Sequence, residues 1–183
     1  MADRASIAAA ALFVLDRDGL AELSMRHVAS ELGVKAPTIY YHYPSKAALL
    51  AAVADSILGG APALAEGGWG LVVRAWMEDL RATLLTHRDA AELVSAASAS
   101  GLMTVNPAAG VVDLLQHEGW TELDAKWSAA AMVRFVLGHV AEEQARFNLV
   151  ADGTLPAGTD PLDPQAFSHG VRLLLAGTAN VLP

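Results

Sequence analysis

The stretch from Ser24 to Lys46, SMRHVASELGVKAPTIYYHYPSK, constrains this chain more than any other. Met25, Val28, Ala29 and Leu32 recur at helical spacing and give a first short helix one apolar face. Ser24 stands just before that run, where its hydroxyl can satisfy an orphan amide as N-cap. Gly33 follows the last periodic residue, where a chain leaving a helix most readily takes positive φ. Pro37 suits the first turn of a second helix, since its missing N–H would have had no partner there. That helix, Pro37 to about Tyr43, carries Thr38, Tyr40, Tyr41 and His42, which cannot all be buried, whereas Ile39 and Tyr43 face the core. Helix, glycine turn and polar-aromatic second helix make the helix-turn-helix pattern, whose second helix enters a DNA major groove.

The remainder of the chain reads as helical, and the expected fold class is all-α. A first helix spans Ala5 to about Asp18, and Ser45 caps a fourth that runs through Leu49, Leu50, Val53 and Ile57 to Gly59-Gly60. The segment from Gly59 to Gly70, with Pro62 and Gly67-Gly68, is the clearest break. Further helices are expected near 70–86, 89–99, 107–118 and 122–147. The last of these is apolar on several faces and should be buried nearly all round. A loop from Leu149 to Pro164 leads to a final helix from about Gln165 to Asn180. The expected division is a three-helix headpiece with the helix-turn-helix, residues 1–48, and a helical body, residues 49–183. A helix at about 46–58 links the two.

The net charge of −8 looks wrong for a DNA binder until it is mapped. Residues 1–50 hold five basic side chains (Arg4, Arg17, Arg26, Lys35, Lys46) and five acidic ones (Asp3, Asp16, Asp18, Glu22, Glu31), so the whole deficit lies in the body. Phosphate contact would rest on few charges plus amides and hydroxyls. Hydrophobic residues make up 54%, a proportion that suits buried helices and a further apolar surface closed by dimerisation. There is no cysteine, so neither a disulfide nor a thiolate metal site can form. The run Ile7 to Leu15 meets Asp16-Arg17-Asp18 instead of a cleavage site and reads as a helix rather than a signal peptide. The longest uncharged run, Leu93 to Val112, contains Ser, Gly, Asn and Pro and is a poor membrane span. A cytoplasmic protein without membrane contact is expected. The six histidines (27, 42, 87, 117, 139, 169) lack metal-ligand spacing, and no GxSxG or phosphate-loop pattern occurs, so no catalytic residue, metal or cofactor is expected. His139 and Glu142 could meet at i, i+3, most simply as an interface or core hydrogen bond.

Gly19-Leu20, Ser24-Met25-Arg26, Val28-Ala29, Leu32-Gly33-Val34, Thr38-Ile39-Tyr40, His42 and Ser45-Lys46 together resemble the N-terminal signature of the tetracycline-repressor (TetR) family of transcriptional regulators. Later stretches are similar to landmarks of the tetracycline-repressor branch: His87-Arg88-Asp89, Glu118-Gly119-Trp120, Phe135-Val136-Leu137-Gly138, Glu142-Glu143-Gln144 and Phe167-Ser168-His169-Gly170. The resemblance implies a homodimeric, ligand-responsive regulator, most simply a repressor on a near-palindromic operator. It implies a DNA-contacting set of Ser24, Arg26, Ala36, Pro37, Thr38, Tyr40, Tyr41, His42 and Lys46. Within that set Thr38, Tyr40, His42 and Lys46 sit at phosphate-touching positions, and Arg26, Ala36, Pro37 and Tyr41 at base-facing ones. Ala36 stands where the tetracycline repressor has glutamine, which implies a different operator.

In the body the resemblance implies an effector site drawn from Trp76, Leu80, Val94, Met103, Val111, Leu115, Trp127, Arg134, Phe135 and Glu142. Glu142 matches a glutamate that helps hold the drug's magnesium in the tetracycline repressor. Val94 replaces a magnesium-binding histidine, Trp76 a drug-holding asparagine and Pro62 a nearby histidine. The implied effector is therefore apolar or aromatic and metal-independent, and tetracycline is not expected to fit. The rival expectation is a small-molecule-sequestering or scaffold dimer whose headpiece only packs.

Overall fold

A computed structural model describes residues 2–60, 64–158 and 164–180, so Pro62 and part of the expected 149–164 loop lie outside the described residues. The described residues form helices and no strand: α1 (Arg4–Asp18), α2 (Met25–Glu31), α3 (Ala36–His42), α4 (Lys46–Leu58), α5 (Trp69–Leu85), α6 (Ala90–Ser100), α7 (Ala109–His117), α8 (Glu122–Ala151) and α9 (Pro164–Ala179). The all-α expectation holds, and the elements fall within a few residues of the expected ones. The chain divides into two compact units, residues 1–60 with 83–105 and residues 61–82 with 106–183.

In the first unit, α1, α2 and α4 enclose Ile7, Ala11, Val14, Leu15, Val28, Leu49 and Val53, all buried. Helix α1 starts on a capping box, in which the Asp3 carboxylate accepts from the Ser6 amide and the Ser6 hydroxyl accepts from the Asp3 amide. Three carboxylates tie distant segments together. Asp16 accepts from His87 Nδ1 at 2.9 Å and from the Arg88 amide at 3.2 Å. Asp89, whose φ of +52° is in the left-handed region, accepts from the Leu20 amide at 2.8 Å. Asp55 on α4 accepts from the Thr104 hydroxyl at 2.6 Å and from the Val105 amide at 2.9 Å. Burial pushes the Asp55 carboxyl up, but the bonds from Thr104 and Val105 outweigh it and hold it below the ordinary range. Gly19, at φ +88°, is required here: a Cβ would lie 2.9 Å from the Asp89 carboxylate. The two sequence landmarks Gly19-Leu20 and His87-Arg88-Asp89 are thus halves of one joint.

The second unit packs α7 and α9 against α8. Thr121 caps α8 by accepting from the Asp124 amide. The buried Trp120 lies 5.9 Å from Trp69 at the start of α5. Gly170 lets α9 come close to α8, since a Cβ there would meet Phe135 Cζ at 2.3 Å. The expectation that α8 is buried nearly all round is corrected. Its buried residues are Ala125, Ala129, Met132, Val136, Leu137, Val140, Glu143 and Gln144, one stripe at helical spacing. Leu123, Trp127 and Phe147 stand exposed, because α7 and α9 cover only part of a 30-residue helix within this chain.

Candidate nucleic-acid interface and effector residues

The helix-turn-helix is built as its residues dictate. Ser24 Oγ accepts from the His27 amide at 3.2 Å and starts α2. Gly33 takes φ +64° just past the end of α2, and the Val34 amide donates to the Ala29 carbonyl across the turn at 2.9 Å. Helix α3 begins one residue earlier than expected, with Lys35 at its N-cap and Ala36-Pro37 in its first turn. Ile39 anchors its inner face at zero exposure. Tyr43, expected in the core, is buried at its end, donating from its hydroxyl to the Arg4 carbonyl at 2.9 Å. The same Arg4 stacks its guanidinium 4.3 Å above the Tyr43 ring and donates to the His42 carbonyl. Burial pushes the Tyr43 phenol up, against the opposing pull of Arg4.

The outer face of α3 is open. Tyr41 is 86% exposed and Tyr40 49%, Pro37 is exposed, and Ala36, Thr38 and His42 are half-buried. Ser24, Arg26 and Lys46 are exposed at the starts of α2 and α4, and Ser24 also serves as a cap. The basic residues divide clearly. Arg17 is held by Asp18 at 2.8 Å and Glu31 at 2.9 Å, and it keeps the Asp18 carboxyl below the ordinary range, while Arg4 is occupied by the end of α3. Among the described residues Arg26, Lys35 and Lys46 are exposed and enter no ion pair of 4 Å or less. An exposed polar-aromatic helix flanked by unneutralised cations is a surface for a polyanion.

The family model described as bacterial regulatory proteins, tetR family, matches residues 7–53. The model described as tetracyclin repressor-like, C-terminal domain, matches residues 61–157, more than half of the chain. This chain belongs to the TetR family. It is a transcriptional regulator and not an enzyme. An HTH-type transcriptional regulator of Saccharopolyspora erythraea is 33% identical over 94% of this chain and 83% of its own length. The crystal structure of Mycobacterium smegmatis BioQ is 36% identical with a TM-score of 0.86, covering 98% of this chain and 99% of that one. BioQ with its double-stranded DNA operator gives 32% identity and a TM-score of 0.81 over the same shares. TetR-Q116A from Acinetobacter baumannii AYE in complex with minocycline is 27% identical with a TM-score of 0.80, covering 99% of this chain and 98% of that one. No helix among the described residues is long and apolar enough to cross a membrane.

The ten expected effector residues are distributed over both units of this regulator. Val94, buried on α6, and the half-buried Met103 belong to the first. In the second, Trp76 and Leu80 on α5 and Val111 and Leu115 on α7 are all buried, and Trp76 Nε1 donates to the Pro107 carbonyl at 3.2 Å. Phe135 is half-buried, stacked on Phe167 with ring centroids 5.5 Å apart. Arg134 and Glu142 are exposed. Trp127, 66% exposed, lines a groove of about 390 Å³ with Asp124, Ser128, Met132, Leu173, Leu174 and Thr178.

The buried carboxylate on α8 is Glu143 rather than Glu142. Arg81 on α5 makes a two-pronged pair with Glu143, Nε to Oε2 at 3.0 Å and Nη2 to Oε1 at 2.5 Å, with Glu143 only 6% exposed. His139 lies 3.7 Å from Glu143 at i, i+4, and its Nε2 is buried without a hydrogen-bond partner among the described residues. The His139 ring stacks 6.0 Å from Phe135, and Arg81 sits 5.1 Å from the Phe167 ring. The i, i+4 spacing of His139 and Glu143 was available in the sequence. The partnership with Arg81, 62 residues away, carries no local signal.

Proposed function

We propose that this regulator is a homodimeric repressor that acts in the cytoplasm and is released from a near-palindromic operator by an apolar or aromatic effector. The observation that carries the reading is α3, buried on one face through Ile39 and open on the other through Tyr40 and Tyr41. Residues 1–48 read DNA in this proposal, and residues 49–183 dimerise and respond to the effector. Ser24, Thr38, Tyr40, His42 and Lys46 hold phosphates. Arg26, Ala36, Pro37 and Tyr41 face bases, with Arg26 able to offer two donors to guanine O6 and N7. BioQ with its DNA operator supports the DNA-reading half of the proposal, and TetR-Q116A with minocycline supports a small-molecule site in the body without bearing on the effector's type.

Dimerisation is supported by the face of α8 and α9 that this chain leaves uncovered, with Trp127, Leu123 and Leu173 exposed on it. Two recognition helices then fall about 34–36 Å apart, one DNA turn. Within the second unit the effector reading is supported by Trp76, Leu80, Val111 and Leu115, whose buried side chains offer apolar and aromatic surface. Val94 supplies no metal ligand where the resemblance puts a histidine, which favours an effector bound without magnesium. An effector lowers DNA affinity only as far as it prefers the state whose headpieces are misplaced.

The test is selection of duplexes from a random pool by the full-length protein, followed by mobility shift. A palindromic consensus bound by a dimer, and released by an apolar aromatic compound in the presence of a chelator, is expected. Binding of such compounds without enrichment of any DNA sequence establishes the sequestering dimer instead.

A further inference from the structure

We infer that Lys35 is a sequence-reading residue of this regulator, contacting a guanine edge at the leading end of the recognition helix. The inference rests on the operator-binding reading and deepens it. In helix-turn-helix proteins the N-terminal residues of the second helix approach the base edges. Here α3 opens with Ala36 and Pro37, and neither side chain has a donor or an acceptor. Both can make apolar contact with a thymine methyl, but neither can form a hydrogen bond to a base. Thr38, the next residue, is half-buried. The exposed long polar side chain at this end of α3 is Lys35, at the N-cap with an extended backbone of φ −82° and ψ 146°.

The ammonium of Lys35 is also available. Arg4 and Arg17 show what structural basic residues look like in this unit, each tied to a carbonyl, a ring or carboxylates. Lys35 is exposed and makes no ion pair among the described residues. Arg26 and Lys46, the other exposed cations of the motif that enter no ion pair among the described residues, begin α2 and α4 rather than α3. The leading turn of α3 therefore depends on Lys35 for hydrogen-bond readout, and a lysine at a base edge selects the acceptor pair O6 and N7 of guanine.

The experiment measures binding of wild type, Lys35→Ala and Lys35→Arg to the selected duplex, to its single-position variants and to random duplex, across a salt series. Lys35 is exposed, so neither variant threatens folding. Wild type is expected to prefer guanine at one symmetry-related pair of positions by roughly five- to hundredfold. Lys35→Ala should flatten that preference while shifting random-duplex affinity far less, and Lys35→Arg should retain it. Equal losses on selected and random DNA with a shallower salt dependence make Lys35 a phosphate contact and overturn the inference, as does no loss on either. If Lys35→Ala fails this way while Arg26→Ala still relaxes another position, the operator-binding reading stands alone. If wild type enriches no sequence, both readings fall.

Discussion

Removing Arg81 should leave the buried Glu143 carboxylate without its two-pronged partner. Glu143 is 6% exposed and its two oxygens both accept from Arg81, so Arg81→Met takes away both charge and hydrogen bonds while keeping the aliphatic stem. Breaking one side of a buried pair costs about 3–5 kcal/mol. The Arg81 side chain is itself 27% exposed, so water reaches the pair and the cost falls to or below the bottom of that range, about 2–3 kcal/mol. For a chain of this length that corresponds to a fall in melting temperature of about 4–12 °C. One control gives the reasoning its edge. Arg81→Met with Glu143→Leu should recover most of the loss, since a well-packed apolar pair often equals a buried ionic one. Thermal denaturation at fixed protein concentration measures both variants. A deficit in the Arg81→Met variant that the second substitution leaves unrepaired would refute the account.

Gly170→Ala should cost about 1–3 kcal/mol, because its Cβ meets Phe135 Cζ at 2.3 Å and either the ring or α9 must shift; calorimetry reads the loss, and Phe135→Leu in the same chain should recover part of it. Asp55→Asn should cost about 1–2 kcal/mol at neutral pH by weakening its bonds with Thr104 and Val105. Because the folded pKa of Asp55 is depressed, its contribution is present above the unfolded carboxyl pKa near 4 and is lost as pH falls through the folded value. Wild type and the Asn variant should therefore converge in acid denaturation. Leu174→Asp should yield a monomer or aggregate in sedimentation and lose selected-duplex binding at the same time; a soluble monomer that still binds tightly contradicts the proposed dimer.

The headpiece was legible in the sequence because its signals are local. A cap at Ser24, a glycine needing positive φ at position 33 and an apolar period in between each act within one turn of helix, and each is found in place. The body was legible in its helices but not in its faces. Apolar content alone suggests that α8 is buried all round, whereas the covered stripe is set by which neighbours reach it. The phase of that stripe was readable: Val136, Val140 and Glu143 continue one line, and Glu142 falls off it. Matching residue against residue draws attention to Glu142, whereas helical geometry selects Glu143. The Arg81 partner stayed hidden because a contact across 62 residues is decided by packing.

The joint between Gly19-Leu20 and His87-Arg88-Asp89 bears on how this protein can be taken apart. A peptide ending at residue 60 contains every helix of the helix-turn-helix, yet it lacks the acceptor for the Leu20 amide and the donors that hold Asp16. It also strips α6 from α4 and leaves Asp55 without Thr104 and Val105. The smallest piece that keeps these bonds is discontinuous along the chain. Limited proteolysis should release no stable N-terminal fragment, and grafting the DNA-reading segment onto another protein should succeed only if residues 83–105 travel with it.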